Sequence, residues 1–334
     1  MKFNFVSKIL LLINVFLIAF QLLLMNTFWD FHQYPFLNLM VPVISVINVI
    51  FFIFWIIKLK WPFLLFIFSL MIGFKEWGKL YKLPNNAIPI SNGIKVMSFN
   101  VRLFNSFKWI DSKSVPQSIE TFINKENPDL VCLQEHSKEF NPKFKNYPYQ
   151  YIVSSKNNNQ NGLCILSKYP LKNRGRLDFE DSNNSALYAN FYYKRDSIRI
   201  YNVHLESLSI NLKDSLLIQE HFLKFVERIQ SVIQKQELQI DQFVKVDQKN
   251  KHPTIICTDL NNNAFSRVYK RLKADRLDAF DLSGGGLGAT YKLAYFPFRI
   301  DFIFTDQKFK VINFKTHDLK LSDHKPISAL LQWK

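Results

Sequence analysis

Two long apolar runs near the N-terminus constrain this chain more than any other feature of its sequence. Residues 9–29 begin with ILLLINVFLIAFQLLLM, residues 36–57 read FLNLMVPVISVINVIFFIFWII, and neither run carries a charge. Each approaches the roughly 20 residues that a helix needs to cross about 30 Å of hydrocarbon. Neither shows the polar face that a helix packed against a soluble core usually keeps. The sequence therefore predicts integral membrane helices, with a buried helical hairpin as the alternative.

A third apolar run, residues 61–74, decides on which side of the membrane the rest of the chain lies. No small-residue cleavage site follows the first run, so a removed signal peptide does not explain it. Lysines at positions 2, 8, 58 and 60 place the N-terminus and the loop after the second run in the cytoplasm. If the third run crosses, the remainder is extracytoplasmic, and if it lies in the interface, the remainder is cytoplasmic. We expect the third run to cross the membrane, so that the remainder of the chain is extracytoplasmic.

Composition divides the chain into an anchor and a second, larger part. The predicted transmembrane region covers residues 1–82, a linker rich in Pro and Asn covers 83–93, and residues 94–334 form one domain. Residues 1–90 hold seven lysines and two acidic residues, so most of the formal net charge of +16 falls on the second part. This charge suits a nucleic acid and an anionic lipid surface equally, because both are polyanionic.

Short apolar runs of β type recur through residues 94–334, and helical patterns lie between them. Residues 94–101 (IKVMSFNV) and 254–260 (TIICTDL) are typical strands, while residues 115–127 and 213–235 place apolar side chains at three-to-four spacing. Alternating strands and helices, with hairpin-like strand pairs among them, indicate an α/β fold with mixed sheets. The three cysteines all fall within apolar strand-like runs, which predicts small core residues.

Polar side chains fall at the ends of these strands or interrupt them, and in open α/β folds strand ends line the ligand cleft. The residues concerned are Asn100, Glu135, Asn202, His204, Asp259, Asn261, Asp301, Asp323 and His324. Taken singly, most have an ordinary explanation as turn formers, helix caps or surface charges. Asp301 does not, because a carboxylate inside FRIDFIF is costly to bury unless a cation or metal pairs with it.

As a set, these side chains suit hydrolysis of a phosphate ester. Asn100, Glu135 and Asp323 offer the hard oxygen ligands that Mg²⁺ or Mn²⁺ prefers, and no Cys/His spacing suggests zinc. His324 with a carboxylate behind it can act as a general acid or base. Other groups of the set can assist: Asp259 and Asn261 can orient a water, and His204 can donate to an anionic oxygen.

The ordered motifs SFN (98–100), QE (134–135), NVHL (202–205), TDLN (258–261), RIDFIF (299–304) and SDHKP (322–326) resemble the endonuclease/exonuclease/phosphatase superfamily. This resemblance covers residues 94–333. It implies a DNase I-like four-layer α/β sandwich of two mixed β-sheets flanked by helices, here preceded by the transmembrane region.

The resemblance also implies a role for each matched residue. Glu135 matches the principal metal-binding glutamate, and Asn100 and Asp323 match its neighbours at the metal. His204 matches a phosphate-contacting histidine. Two further pairs complete the set: Asp259 and Asn261 match the acid and amide of a Gly-Asp-x-Asn motif, and Asp301 matches the carboxylate that orients His324.

The resemblance predicts the type of reaction more closely than it predicts the substrate. Thr258 replaces the usual Gly before Asp259, and Arg102 stands where abasic-site nucleases of this family carry an acid, which disfavours DNA repair. GGGLGATY (284–291) lacks the Lys-Ser/Thr of a nucleotide-binding P-loop. We expect a membrane-anchored, divalent-metal-dependent phosphodiesterase of nuclease type. The alternatives are a phospholipid or sphingolipid phosphodiesterase, a lipid-phosphate phosphatase, and a non-catalytic tethered binding module.

Overall fold

The computed structural model describes residues 3–26, 34–84, 92–155, 161–209, 222–293 and 296–334. Two helices in these ranges are long and apolar enough to cross a membrane, Phe5–Met25 and Pro35–Ile57, and a shorter apolar helix is Phe63–Ile72. The predicted runs 36–57 and 61–74 are thus helical for most of their length, whereas residues 27–29 of the first run and most of the linker lie outside the described residues.

The N-terminal helices form a small bundle. Its elements are α1 (Phe5–Met25), a 3₁₀ turn (Pro35–Met40), α2 (Val41–Ile57), α3 (Phe63–Ile72) and α4 (Phe74–Trp77). α1 and α2 share a narrow polar stripe, contrary to the expectation that neither run has a polar face. On α1 its members are Asn14 and Gln21, which are seven residues apart and therefore do not form an obvious pattern in the sequence. Gln21 donates to Ser45 Oγ at 2.8 Å, and Asn48 donates to Gln21 at 2.6 Å. Such hydrogen bonds between apolar helices are typical of membrane bundles.

The third apolar run extends from one end of this bundle to the other. At one end Lys60 lies 5.3 Å from the ring centroid of Phe3, near the start of α1. At the other end Gly73 lies against Leu22, close to the end of α1, so a side chain at that glycine would meet Leu22 Cδ2 at 3.3 Å. The chain leaves the bundle at α4, on the side opposite Lys58 and Lys60.

Two six-stranded mixed sheets make up the rest of the fold. The first sheet has the order β13-β14-β1-β2-β4-β3 and the second has the order β5-β6-β7-β8-β12-β9. The strands are β1 (Ile94–Asn100), β2 (Leu130–Gln134), β3 (Tyr149–Ser154), β4 (Gly162–Ser167), β5 (Lys172–Asp178), β6 (Ser185–Tyr193), β7 (Asp196–His204), β8 (Thr254–Asp259), β9 (Leu277–Asp278), β10 (Tyr291–Leu293), β11 (Phe296–Phe298), β12 (Asp301–Thr305), β13 (Phe309–Thr316) and β14 (Ile327–Trp333). β10 and β11 form a separate two-stranded ribbon.

Helices cover the outer faces of the two sheets. The helices of this part are α5 (Val115–Glu126), α6 (Phe222–Asp247), α7 (Arg267–Lys273) and α8 (Ala279–Ser283). α5 buries Ile119 and Ile123 against the first sheet, and α6 and α7 pack on the second. α6 continues past residue 235 and buries Ile240 and Phe243, while residues 213–221 of the predicted helical stretch lie outside the described residues. The predicted DNase I-like four-layer sandwich is therefore confirmed.

Residue alternation along the strands aims the polar strand ends into the space between the sheets. Ile255 and Cys257 of β8 lie in the core between the sheets, so Asp259, two residues further, continues the same inner face. By the same alternation, Asn100 lies on the inner face of β1 together with Val96, and His204 lies on the inner face of β7 together with Ile200. These residues end strands of the two parallel pairs, β1–β2 and β7–β8, at one edge of the sandwich.

Antiparallel partners bring the remaining residues to that edge. β12 runs antiparallel to β8, which places Asp301 opposite Asp259. Asp301 is the first residue of β12, and in an antiparallel partner the first residue meets the last residue of its neighbour. β14 likewise runs antiparallel to β1, so that residues just before β14 approach Asn100. Pairing thus explains why residues before strands and residues after strands gather in one place.

Candidate active site

A buried acid–imidazole pair lies at the centre of the site. His324 Nδ1 is 3.0 Å from Asp301 Oδ2, and the two residues are 5% and 1% exposed. Burial disfavours the imidazolium, but Asp301 and Asp259 outweigh it and raise the pKa of His324 to about 10. His324 is therefore protonated at neutral pH in this arrangement. The tyrosine ring of Tyr291 packs on its ring, with centroids 5.1 Å apart.

Asp259, termed the hub below, contacts several of the other groups through its carboxylate. Its Oδ2 accepts a hydrogen bond from Asn100 Nδ2 at 2.9 Å and lies 3.6 Å from His204 Nε2 and 3.7 Å from His324 Nε2. The residue is fully buried, and this burial raises its pKa although the two imidazoles oppose the rise. A carboxylate with a raised pKa is a better proton acceptor than an ordinary aspartate.

Asn100 connects this hub to Glu135. Asn100 Nδ2 also donates to Glu135 Oε1 at 3.0 Å, and its Oδ1 accepts from the backbone of Arg102 at 3.0 Å. Glu135 directly follows β2 and has a φ of 47°, so the chain turns sharply and leaves its carboxylate half-buried at the sheet edge. The neighbouring Gln134 points between the sheets instead and donates to Asn202 at 2.7 Å.

Asp323 completes the edge and pairs with a cation. Its Oδ2 lies 3.2 Å from Arg102 Nη1, and its Oδ1 accepts from Ser322 at 3.2 Å. Ser322 also donates to the carbonyl of Asn100 at 2.8 Å, which ties the segment before β14 to the end of β1. Arg102 stacks over Trp109 at 4.0 Å from the ring centroid. The arginine that stands where abasic-site nucleases carry an acid is thus paired with a predicted metal ligand.

Asn261 contacts Asp259 through its backbone N–H. Its N–H donates to Asp259 Oδ1 at 3.0 Å, and a φ of 50° produces the turn that this bond requires. Its side chain donates to the carbonyl of Leu205, one residue after His204, at 3.0 Å. The eight residues to which the sequence assigned a role therefore fall within one connected set of contacts, while those roles stay predictions.

Two groups of residues could hold a divalent cation. Asp259, Asp301 and His324 present ligand atoms within 4.8 Å of one another. In that group one contact is already the hydrogen bond of the acid–imidazole pair. In the predicted group, Glu135 and Asp323 have half-buried carboxylates, and the third oxygen is Asn100 Oδ1, which already accepts from the Arg102 backbone. This donor set fits Mg²⁺ or Mn²⁺.

Some buried polar atoms here have no hydrogen-bond partner in the described part of the chain. They include His204 Nε2 and Asp301 Oδ1. Because a buried unpaired polar atom costs free energy, an incoming ligand that satisfies it gains in affinity. A phosphate oxygen is an acceptor of the kind that His204 needs.

Tyr291 is a site residue that the sequence analysis did not select. Burial raises its pKa, as do Asp323, Asp259 and Glu135, while Arg102 opposes them. The phenol therefore lies within electrostatic range of both the metal group and the hub. Its only sequence signal was its position at the end of the Gly-rich segment 284–291, which is otherwise tied down by a backbone pairing between Lys82 and Gly286.

The sequence and the fold both match known proteins. The Endonuclease/Exonuclease/phosphatase family matches residues 97–324. An endonuclease/exonuclease/phosphatase from Bacteroides vulgatus is 15% identical, with a TM-score of 0.59 over 73% of this chain and 100% of the other. A mannosyl-6-phosphatase from Bacteroides thetaiotaomicron is 15% identical, with a TM-score of 0.53 over 72% of this chain and 100% of the other.

A third structure, D. rerio TDP2 in complex with a single-stranded DNA product, is 16% identical, with a TM-score of 0.54 over 72% of this chain and 100% of the other. No curated protein matches the sequence. The structural likenesses support the fold, while the family match extends over most of the chain and includes the whole set of polar strand ends. The chain belongs to the endonuclease/exonuclease/phosphatase family of phosphoesterases.

Proposed function

We propose that the protein is a membrane-anchored, divalent-metal-dependent phosphoesterase that hydrolyses a phosphodiester by attack of an activated water. The observation that carries this proposal is the continuous set of contacts from the Asp301–His324 pair through Asp259 to Asn100 and Glu135. This set supports the proposal because an imidazole, a buried carboxylate and further side-chain oxygens contact one another in sequence.

Each group has a role that follows from its charge and contacts. Asn100, Glu135 and Asp323 would hold Mg²⁺ or Mn²⁺, which offsets the negative charge that develops on the phosphoryl oxygens. Asp259 accepts the proton of the attacking water, because burial raises its pKa. The backbone N–H of Asn261 holds that carboxylate in place.

The two histidines act on the phosphate itself. His324 is protonated at neutral pH, so its Nε2–H donates to a phosphoryl oxygen while Asp301 fixes the ring through Nδ1. His204 Nε2 lies 3.6 Å from the same oxygen of Asp259 and has no hydrogen-bond partner in the described residues. The complete set of eight groups favours an enzyme, because a non-catalytic binding module has no need to keep all of them.

The anchor is supported by the two long apolar helices and by the polar hydrogen bonds between them. The catalytic part packs against the end of the bundle where α1 finishes and α2 begins: Asn263 donates to the carbonyl of Asn38 at 2.9 Å. Lys58 and Lys60 lie at the other end. Because such lysines favour the cytoplasmic face, this arrangement supports the extracytoplasmic alternative for the catalytic part.

The proposal is tested with the full chain in detergent and bis(para-nitrophenyl) phosphate as a generic diester. We expect hydrolysis with Mg²⁺ or Mn²⁺, loss of it with a chelator, and a loss of at least 100-fold in His324→Ala and Glu135→Ala. Glu139→Ala, an exposed acid four residues from Glu135, is the matched control and should behave as wild type. Activity that survives both substitutions and the chelator would refute the mechanism.

Nuclease activity and lipid cleavage remain alternatives at this site. Duplex DNA and single-stranded RNA belong in the same assay, because the positive charge of the catalytic part suits a polyanion. Lipid substrates are favoured by a different observation, which concerns the space beside the site.

A further inference from the structure

We propose, resting on the function above, that the substrate is a lipid phosphate ester whose apolar chain lies in a groove between the anchor and the catalytic site. The groove, termed the chain groove below, is a cavity of about 260 Å³. One wall comes from the anchor, with Phe36, Leu39, Met40 and Val43, and the other comes from α6, with Phe225 and Ile229.

The chain groove shares two residues with the catalytic site. Asn261 and Tyr291 belong to its lining. The first donates its N–H to Asp259, and the second packs on the ring of His324. A phosphate placed between His204 and His324 therefore has its ester substituent directed past these two residues. In the chain groove that substituent meets apolar side chains.

The lining selects against a nucleic acid and for a hydrocarbon chain. The described residues of the chain groove include no Lys, Arg, Asp or Glu, and its polar members are serines and asparagines apart from Tyr291. Nucleotides that flank a cleaved diester carry charged phosphates, which need basic contacts. An alkyl or acyl chain gains from burial against Leu39, Met40 and Phe225.

The chain groove continues toward the region that the anchor would place in the membrane. A second cavity, of about 370 Å³, lies beside it and shares Asn263 and Phe298 with it. Its lining follows α2 along Val46, Val49 and Ile50. Together the two cavities fall in the range of about 300–1,000 Å³ that is usual for ligand sites. A lipid can thus pass its phosphate to the catalytic site while its chain stays along α2.

Two matched diesters test this proposal on the full chain in mixed detergent micelles: hexadecyl para-nitrophenyl phosphate and ethyl para-nitrophenyl phosphate. In both, water attacks phosphorus, the bond to the nitrophenyl oxygen breaks, and nitrophenolate and the alkyl phosphate monoester leave. We expect kcat/KM to be at least tenfold higher for the hexadecyl ester, since burial of two methylene groups already corresponds to roughly tenfold.

A groove-filling variant separates chain binding from simple partition into micelles. Met40→Trp fills the chain groove, and we expect it to reduce the ratio of hexadecyl to ethyl kcat/KM about tenfold or more. Ile53→Trp is the matched control: it lies on α2, is 50% exposed compared with 40% for Met40, and does not line the groove. It should leave the ratio unchanged. Equal ratios in the wild type and in Met40→Trp would overturn the proposal while hydrolysis still stands.

Binding gives an answer that does not depend on turnover. A photoreactive hexadecyl phosphate should crosslink to groove residues such as Leu39 and Ile229, and Met40→Trp should suppress this labelling. If neither diester is hydrolysed, the proposed function fails. The crosslinks then show independently whether an alkyl chain binds in the chain groove. Labelling confined to sites outside the groove, or unaffected by Met40→Trp, refutes it.

Discussion

Replacing Asp301 with Asn tests the central pair without changing its size. The pKa of His324 is raised to about 10, and a rise from about 6.5 corresponds to about 5 kcal/mol in favour of the protonated ring. Asp301 leads the groups that cause the rise and Asp259 follows it. Removing the charge of Asp301 should therefore cost roughly half of that preference, about 2 kcal/mol.

Two kinetic consequences follow for Asp301→Asn. The stabilised proton on His324 is fully present at low pH and is lost as the pH rises through the pKa of the folded protein. In the variant this loss occurs earlier, so the alkaline limb of the kcat profile moves to lower pH by more than one. At neutral pH the ring of the variant stays mostly protonated, so the expected fall in kcat of about 100-fold comes from a donor that is less well oriented.

The assay is kcat against pH with bis(para-nitrophenyl) phosphate at saturating Mg²⁺, together with the thermal midpoint to confirm folding. Asp306→Asn is the control, since Asp306 follows the same strand but accepts a hydrogen bond from the Lys308 backbone outside the site. If Asp301→Asn keeps kcat within threefold of wild type and an unchanged alkaline limb, Asp301 does not position His324 and the reasoning is wrong.

Three further outcomes are expected. Glu135→Gln should raise the Mg²⁺ concentration for half-maximal activity at least tenfold, and a fall in activity that no added metal changes would argue against ligation. Burial lowers the pKa of His317 to about 4, so the free energy of unfolding should fall by up to about 3 kcal/mol as the pH drops from 6.5 to 4. His317→Gln should flatten that slope in unfolding curves, and an equal slope would contradict it. A phosphatase reporter fused after Lys334 should be active only if the domain is extracytoplasmic.

The sequence was sufficient to place single residues at strand ends, because alternation and turn chemistry are local. Asp259 was predicted at the end of an apolar run, and it ends β8. The partner across the sheet is not a local property. That Asp301 lies opposite Asp259 depends on β12 inserting between β8 and β9, and no periodicity in either strand encodes this choice. The pairing expected of Asp301 and His324 came from resemblance to a family.

Loop geometry accounts for most of what the sequence did not reveal at the site. Residues 102–105 all have positive φ, which non-glycine residues rarely adopt, and this conformation directs Arg102 toward Asp323 and Trp109. Tyr291 was missed for a similar reason, since it ends the Gly-rich segment 284–291, which has little pattern. The anchor's contact with the catalytic part was also unpredicted, because apolar residues of a membrane segment carry no signal for which of them meet protein and which meet lipid.

The extent of the likeness to other proteins suggests where the specificity of this chain resides. The family match begins at residue 97, and the structural likenesses described above cover 72–73% of the chain while including the whole of each other protein. The part of the chain that these likenesses do not cover is about as long as the N-terminal anchor. The hub, the acid–imidazole pair and the proposed metal ligands all lie within residues 97–324, which the family match covers. The chain groove needs Leu39 and Met40 from the anchor, and a preference for long apolar substituents should therefore depend on those side chains being present beside Tyr291.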